Sequence, residues 1–304
     1  MSFRHPTDLC PDVRCPSVGS AVDCAYRPGT GLHTAWGGCL ALGLACVVLI
    51  SGCGDSESQA VELTEDQLEE AERGAVERLK ELGCKVEFAE DPWLKTSGIM
   101  VWLYPEHITD AGGIREELFV EFRYLRRLFL LVDSTPVRAK GLGQLRTLGN
   151  LLLLSARNTV TGEKGLEKIE GIVSLRLLRL NRTRITDDSL RHIERLPDLV
   201  MLYLSRTNVT DAAMERLVKL RKLTALQLSH TGITDQGVAR LSELTELTHL
   251  GLDGTEVSDD AVPHLLKLKS LEYLNLSETG ITSDGLKKLI EGLPKCDIRK
   301  LESV

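Results

Sequence analysis

At 304 residues, 42% of them hydrophobic, the chain is long enough for two domains and can bury a sizeable core. Its 37 Lys and Arg against 44 Asp and Glu give a formal net charge of −7, which excludes a general attraction to nucleic acid and would demand a local basic patch for any such role. Eight cysteines are present, and six of them (Cys10, Cys15, Cys24, Cys39, Cys46 and Cys53) crowd the N-terminal segment, which sets it apart from the remainder.

Residues 36 to 53 read WGGCLALGLACVVLISGC, an uncharged run ending in Ile50, Ser51, Gly52 and Cys53. These four residues resemble a bacterial lipoprotein signal, in which a small aliphatic residue and two small ones precede the cysteine that is lipidated and becomes the new N-terminus. The resemblance implies a lipid on Cys53 and attachment to a membrane of the bacterial cell envelope, on the periplasmic or extracytoplasmic side. GDSESQA then reads as a polar, flexible tether. The competing reading is a plain membrane helix, but the 17 residues from Trp36 to Gly52 lie at the low end for a span and several are Gly or Ala. Residues 1–35 fit poorly in front of such a signal, with Pro6, Pro11, Pro16 and Pro28 and few positive charges. The expectation is that translation begins later, at Val22 or Leu32. The division is therefore an N-terminal extension and signal segment over 1–52 and a tether over 53–62.

Residues 63–97 are expected to form an N-terminal cap. Thr64 followed by Gln67 matches a capping box, and Leu68, Ala71, Ala75, Leu79 and Leu82 give one apolar helix face, stopped by Gly83. KVEF, residues 85 to 88, reads as a strand.

A fixed period then takes over. Leu175, Leu199, Leu223, Leu247 and Leu271 are 24 apart, as are Thr183, Thr207, Thr231, Thr255 and Thr279. Each unit reads L-x-x-L-x-L-x-x-T-x-I/V-T/S-D and passes from a strand-like to a helical spacing of apolar residues. Units at 126–149 and 150–173 keep the frame, and an irregular one begins near Gly98, which makes about eight over 98–294. Residues 295–304 are expected to close the far end. The pattern resembles the leucine-rich repeat family in a form whose second half reads ITDxGL. The resemblance implies an α/β fold, a horseshoe-like solenoid with parallel strands on the concave face and short helices on the convex face. It also sets expectations for two columns. Threonine stands where the family usually has Asn or Cys, and its hydroxyl is expected to do part of the work of an Asn ladder between neighbouring turns. Asp187, Asp211, Asp235 and Asp259 are expected to cap the convex helices.

No constellation for catalysis emerges, and no cofactor or metal is expected. GLGQLR, residues 141 to 146, has two of the three glycines of a phosphate loop, and His230 and His249 fall too far apart along their strands to share a metal. Cys84 and Cys296, at opposite ends of the solenoid, cannot form a disulfide within one chain. Function should then lie at the exposed positions of the strands. An apolar group comprises Leu128, Phe129, Leu131, Leu152, Leu153, Leu177, Val200, Met201 and Tyr203. A basic group comprises Arg157, Arg176, Arg179, Arg182 and Arg206, and a polar to acidic one Gln227, Asp253, Glu272, Asn275 and Glu278. Packing against the cap competes with exposure for Leu128, Phe129 and Leu131. Partner binding is assigned to Arg157, Arg176, Arg179, Arg182, Val200, Met201, Tyr203, Arg206 and Gln227. Arg182 and Arg206, side by side on adjacent turns, call for a carboxylate-rich or otherwise anionic ligand. The reading is a non-catalytic module that binds a protein or peptide, with no nucleic-acid partner and with a lipid anchor. The alternatives are an adaptor or effector in an enzyme-linked, ubiquitin-ligase-like complex, for which 35 residues between tether and repeats leave too little room for a second domain, and a purely structural envelope protein.

Overall fold

The computed structural model describes residues 64–92 and 94–301, together with the backbone of two short strands, β1 (Val47–Leu49) and β2 (Ala60–Glu62), which pair antiparallel. Cys53, most of the expected signal segment and Trp93 lie outside the described residues.

Helix α1 (Glu65–Glu81) starts at a reciprocal cap: Thr64 Oγ1 accepts from the Gln67 N–H at 3.3 Å while Gln67 Oε1 accepts from the Thr64 N–H at 2.9 Å. It buries Ala75 and Leu79 and ends at Gly83, whose φ of 90° lets the chain reverse. The chain then enters β3 (Lys85–Asp91), which runs antiparallel to β4 (Thr96–Trp102). From β4 onward every strand pairs parallel with the next in sequence: β5 (Leu128–Leu131), β6 (Leu151–Ser155), β7 (Leu177–Arg179), β8 (Met201–Tyr203), β9 (Ala225–Gln227), β10 (His249–Gly251), β11 (Tyr273–Asn275) and β12 (Asp297–Arg299). The result is an α/β solenoid with one open sheet of ten strands.

One periodic leucine column explains that sheet. Leu178, Leu202, Leu226, Leu250 and Leu274 are paired in register across β7 to β11, and all are 0% exposed. Each buried leucine is worth about 2 kcal/mol, and a one-residue slip would turn the whole column away from the core. The other side of each turn is a short helix or 3-10 turn, of which α6 (Asp235–Leu241) and α8 (Ser283–Gly292) are the most regular.

Two further columns hold the turns, and neither works as the sequence suggested. Thr135, Thr159, Thr183, Thr207, Thr231, Thr255 and Thr279 each donate a hydroxyl hydrogen bond to the carbonyl three residues back, at 2.5 to 2.8 Å, so the threonine closes its own turn and bonds no neighbour. The residue before each is left-handed: Ser134, Asn158, Arg182, Arg206, His230 and Glu278 have φ between 53° and 57°, and Gly254 has 65°. That conformation costs a side-chain-bearing residue about 1 kcal/mol. In return it aims the backbone N–H at the next turn, as Arg182 N–H to Ser205 O and Arg206 N–H to Ser229 O, both 2.9 Å.

The aspartates are a correction too. The helix caps are the preceding hydroxyls: Thr210, Thr234 and Ser258 accept from the N–H two residues on, and Thr282 from the N–H of Gly285. Asp187, Asp211, Asp235 and Asp259 instead grip the next turn, each accepting both the N–H and the hydroxyl of Thr210, Thr234, Ser258 and Thr282 respectively, at 2.6 to 2.9 Å. This also explains the glycine of ITDxGL. A Cβ at Gly237 would stand 2.2 Å from Asp211 Oδ1, and one at Gly285 2.1 Å from Asp259 Oδ1.

The Thr282 hydroxyl, and secondarily its N–H, hold the Asp259 carboxyl below its ordinary pKa. A folded-state pKa depressed in this way contributes stability that is present above the unfolded value near 4 and is lost as pH falls through the folded one. Urea midpoints measured from pH 6 down to pH 3 should therefore drop less for Asp259→Asn than for the natural chain. Parallel curves would disprove the link.

Candidate functional site

The concave face is organised by the strand register. Arg179, Tyr203 and Gln227 are paired across β7, β8 and β9, and Leu177, Met201 and Ala225 form the row beside them. The two rows behave differently. Leu177 is 1% exposed, Met201 0% and Ala225 3%, because they join Phe129, Leu131 and Leu153 in a second apolar cluster, separate from the core inside the solenoid. Met201 is thus already covered, which corrects its assignment as a residue open to a partner. Val200, Leu152 and Tyr203 pack at the margin of the cluster and are half-buried.

Part of what covers the row comes from the β3–β4 hairpin. Ala89, Leu94, Met100 and Trp102, from β3, β4 and the turn between them, pack on this cluster. Phe129 pairs with Met100 in register and lies over Gly98, where an added Cβ would be 3.2 Å from its Cζ. Register also corrects Leu128, which faces the interior core with Leu130. The β5–β6 pairing shifts between Leu128 and Phe129, so the sequence frame slips by one residue there.

The arginines divide as well. Arg157 is bound to Asp133, Nε and Nη2 lying 2.8 and 2.7 Å from Oδ2. Arg176 is bound to Asp198, Nη1 lying 2.6 Å from Oδ2, and Lys222 shares that carboxylate. Neither cation is uncompensated, so neither is free for a partner's charge. Arg179 places its guanidinium 5.4 Å from the centre of the Tyr203 ring. Burial raises the Tyr203 phenol pKa, with the Asp91 charge adding to the rise and Arg179 opposing it. Arg182 and Arg206 are exposed, and among the described residues neither has a side-chain hydrogen bond or ion pair. Arg182 borders a hollow of about 420 Å³ with Ser134, Asn158 and Asn181, and Asn181 Oδ1 is buried there without a partner.

Gln227 folds over Gly251, where an added Cβ would stand 1.8 Å from its Oε1. Beyond it the face is polar: Asp253 Oδ1 accepts from Ser229 Oγ at 2.6 Å and Asn275 Nδ2 at 2.9 Å, and His249 stacks on Tyr273 with ring centres 5.9 Å apart. No group of three His, Cys, Asp or Glu among the described residues is arranged to hold a metal. Burial pushes the Cys84 thiol up to about 12, which leaves it protonated and a poor nucleophile. No helix of the described residues is long and apolar enough to cross a membrane.

Sequence reasoning placed Arg179, Tyr203 and Gln227 on one face, and the structure brings them together. It missed Asp91 and Leu94 of the cap and the pairing partners Asp133 and Asp198, since none of these lies in a repeated column that would have marked it.

Family models for leucine rich repeats match residues 173–233 and 267–289. Among solved structures, internalin C2 from Listeria monocytogenes is similar, with 22% identity over 67% of this chain and 80% of that one and a TM-score of 0.51. No curated protein matches the sequence. The likeness shows the fold, a leucine-rich repeat solenoid. A scaffold of this kind is typically a surface for binding proteins, and the partner has to be argued from the side chains.

Proposed function

We propose that this leucine-rich repeat solenoid is a non-catalytic module that binds a protein or peptide on its concave face, held at the bacterial cell envelope by a lipid on Cys53. The observation that carries the binding reading is the pair of exposed guanidiniums at Arg182 and Arg206, which have no partner among the described residues. Like charges on adjacent turns repel unless an anion lies between them. They border the Arg179, Tyr203 and Gln227 row, so an acidic segment could be gripped by charge at one side and by the half-buried tyrosine at the other. Anchoring rests on Ile50, Ser51, Gly52 and Cys53 alone.

A photoreactive side chain at position 203, activated in the native envelope, should capture one specific partner. Arg182→Glu with Arg206→Glu should reduce that capture about tenfold or more, as expected when two charge-assisted contacts become repulsive. Undiminished capture would remove the arginines from the site. Cys53→Ala should release the protein from the membrane fraction, and continued sedimentation would refute the anchor.

A further inference from the structure

The N-terminal edge of the sheet is a strand that a single chain leaves open. Among the described residues β3 pairs with β4 alone and ends the sheet. Which of its backbone groups point outward follows from the next pair. The N–H groups of Ile99 and Leu103 donate to the carbonyls of Arg127 and Leu131, so the odd-numbered residues of β4 turn their backbone toward β5 and the even-numbered ones toward β3. The β3 residues paired with those even-numbered ones are Lys85, Glu87, Ala89 and Asp91. Val86, Phe88 and Glu90 therefore aim N–H and C=O away from the sheet, a row of groups able to template a further strand. The middle residue also carries an uncovered ring: Val86 belongs to the interior core, whereas Phe88 is 67% exposed.

We propose that this edge is a self-association surface, on which a second copy of the chain lays its own β3 antiparallel about a two-fold axis through Phe88. Backbone and charge select the same register. With Phe88 facing its copy, Val86 faces Glu90 on either side, and each outward N–H meets an outward C=O. The charges set directly opposite one another are then Lys85 and the copy's Asp91, of opposite sign, while Glu87 faces Ala89. Slipping the copies by two residues sets Glu87 against its own copy in one direction and against Asp91 in the other, and like charges so placed are unfavourable. The two Phe88 rings meet beside the axis and take from water the apolar area that each chain exposes alone. β12, at the opposite edge of the sheet, has only three residues, too few for such a ladder. The contact closes on itself, as a two-fold contact must, and joins two ten-stranded sheets edge to edge, so that one assembly carries two concave faces. It does not depend on what those faces bind.

The full chain should sediment as a dimer at micromolar concentration. Phe88→Lys, which brings two ammonium groups together on the axis, should raise the dissociation constant about tenfold or more and leave the circular dichroism unchanged, because the site is exposed in the single chain. Lys85→Glu, which turns both attractive pairs repulsive, should raise it about fivefold. Phe88→Cys sets two thiols on Cα atoms about 5.5 Å apart, within the range of about 4.4 to 6.8 Å that a disulfide spans, so mild oxidation should link the two copies at position 88, as identified by the mass of the joined peptides. Lys85→Cys, whose copies stand at opposite ends of the paired strands, should give no such link. Unfolding followed at dilution below the dissociation constant reports the single chain, so Phe88 variants act on association and leave the fold's own stability alone. A monomeric natural chain, whether its edge is bare or covered by its own N-terminal segment, would overturn the proposal, as would a dimer that Phe88→Lys leaves intact or linkage at 85 as efficient as at 88. Should Phe88→Lys fail to fold, the disulfide decides: linkage at 88 supports the shared edge and its absence overturns it.

Discussion

Phe129→Ala should destabilise the protein by about 4 kcal/mol, whereas Phe88→Ala, the same change one hairpin away, should move stability by no more than about 0.5 kcal/mol. The contrast follows from burial: Phe129 is 0% exposed and Phe88 is 67% exposed. Phe129 would stand in open solvent on a bare concave sheet, since it belongs to the second cluster and not to the interior core. It is enclosed by Met100 beside it, Leu153 on the next strand and the backbone of Gly98 beneath its ring. Removing the ring leaves a cavity that these neighbours cannot fill, because Gly98 has no side chain to lean inward. Urea unfolding followed by circular dichroism gives the numbers. A loss below about 1 kcal/mol for Phe129→Ala would mean that the hairpin does not close over the face.

How far the sequence could be read depends on which features repeat. The interior leucines from Leu178 to Leu274 and their register were legible, because a single spacing dictates both the column and the pairing of neighbouring turns. Arg179, Tyr203 and Gln227 could be placed in one row by the same logic. Leu128 was misplaced where the β5–β6 register shifts, since a bulge leaves no mark in a list of leucines. The burial of Met201 was missed for a different reason: part of what packs on its row (Ala89, Leu94, Met100 and Trp102) comes from the β3–β4 hairpin, and nothing in the repeat announces it. The left-handed column was hidden by its own residues. Gly254 and Asn158 are ordinary there, but Arg182, Arg206 and Glu278 are not, and only the turn's geometry forces them into it. In the aspartate column, sequence could see an adjacent hydroxyl and carboxylate but not which of the two caps the helix.

That division of labour predicts the effect of Asp235→Ala. The Asp235 carboxylate accepts the N–H and the hydroxyl of Ser258, both at 2.7 Å, and both contacts are partly buried. Taking it away leaves a backbone donor and a hydroxyl without partners at the junction of two turns, a loss of about 3 kcal/mol. Were the aspartate merely a helix cap, the cost would be nearer 1 kcal/mol and would stay within its own turn. Because each turn of a solenoid touches only its neighbours, loosening this junction should also split the unfolding transition, with the segment after residue 256 exchanging its amide hydrogens before the rest. Asp235→Asn, which keeps one acceptor oxygen, should recover about half of the loss. Asp188→Ala, at an exposed aspartate with no side-chain bond among the described residues, should change stability by less than about 0.5 kcal/mol. A single cooperative transition for Asp235→Ala, shifted no further than for Asp188→Ala, would show that the carboxylate does not join the turns.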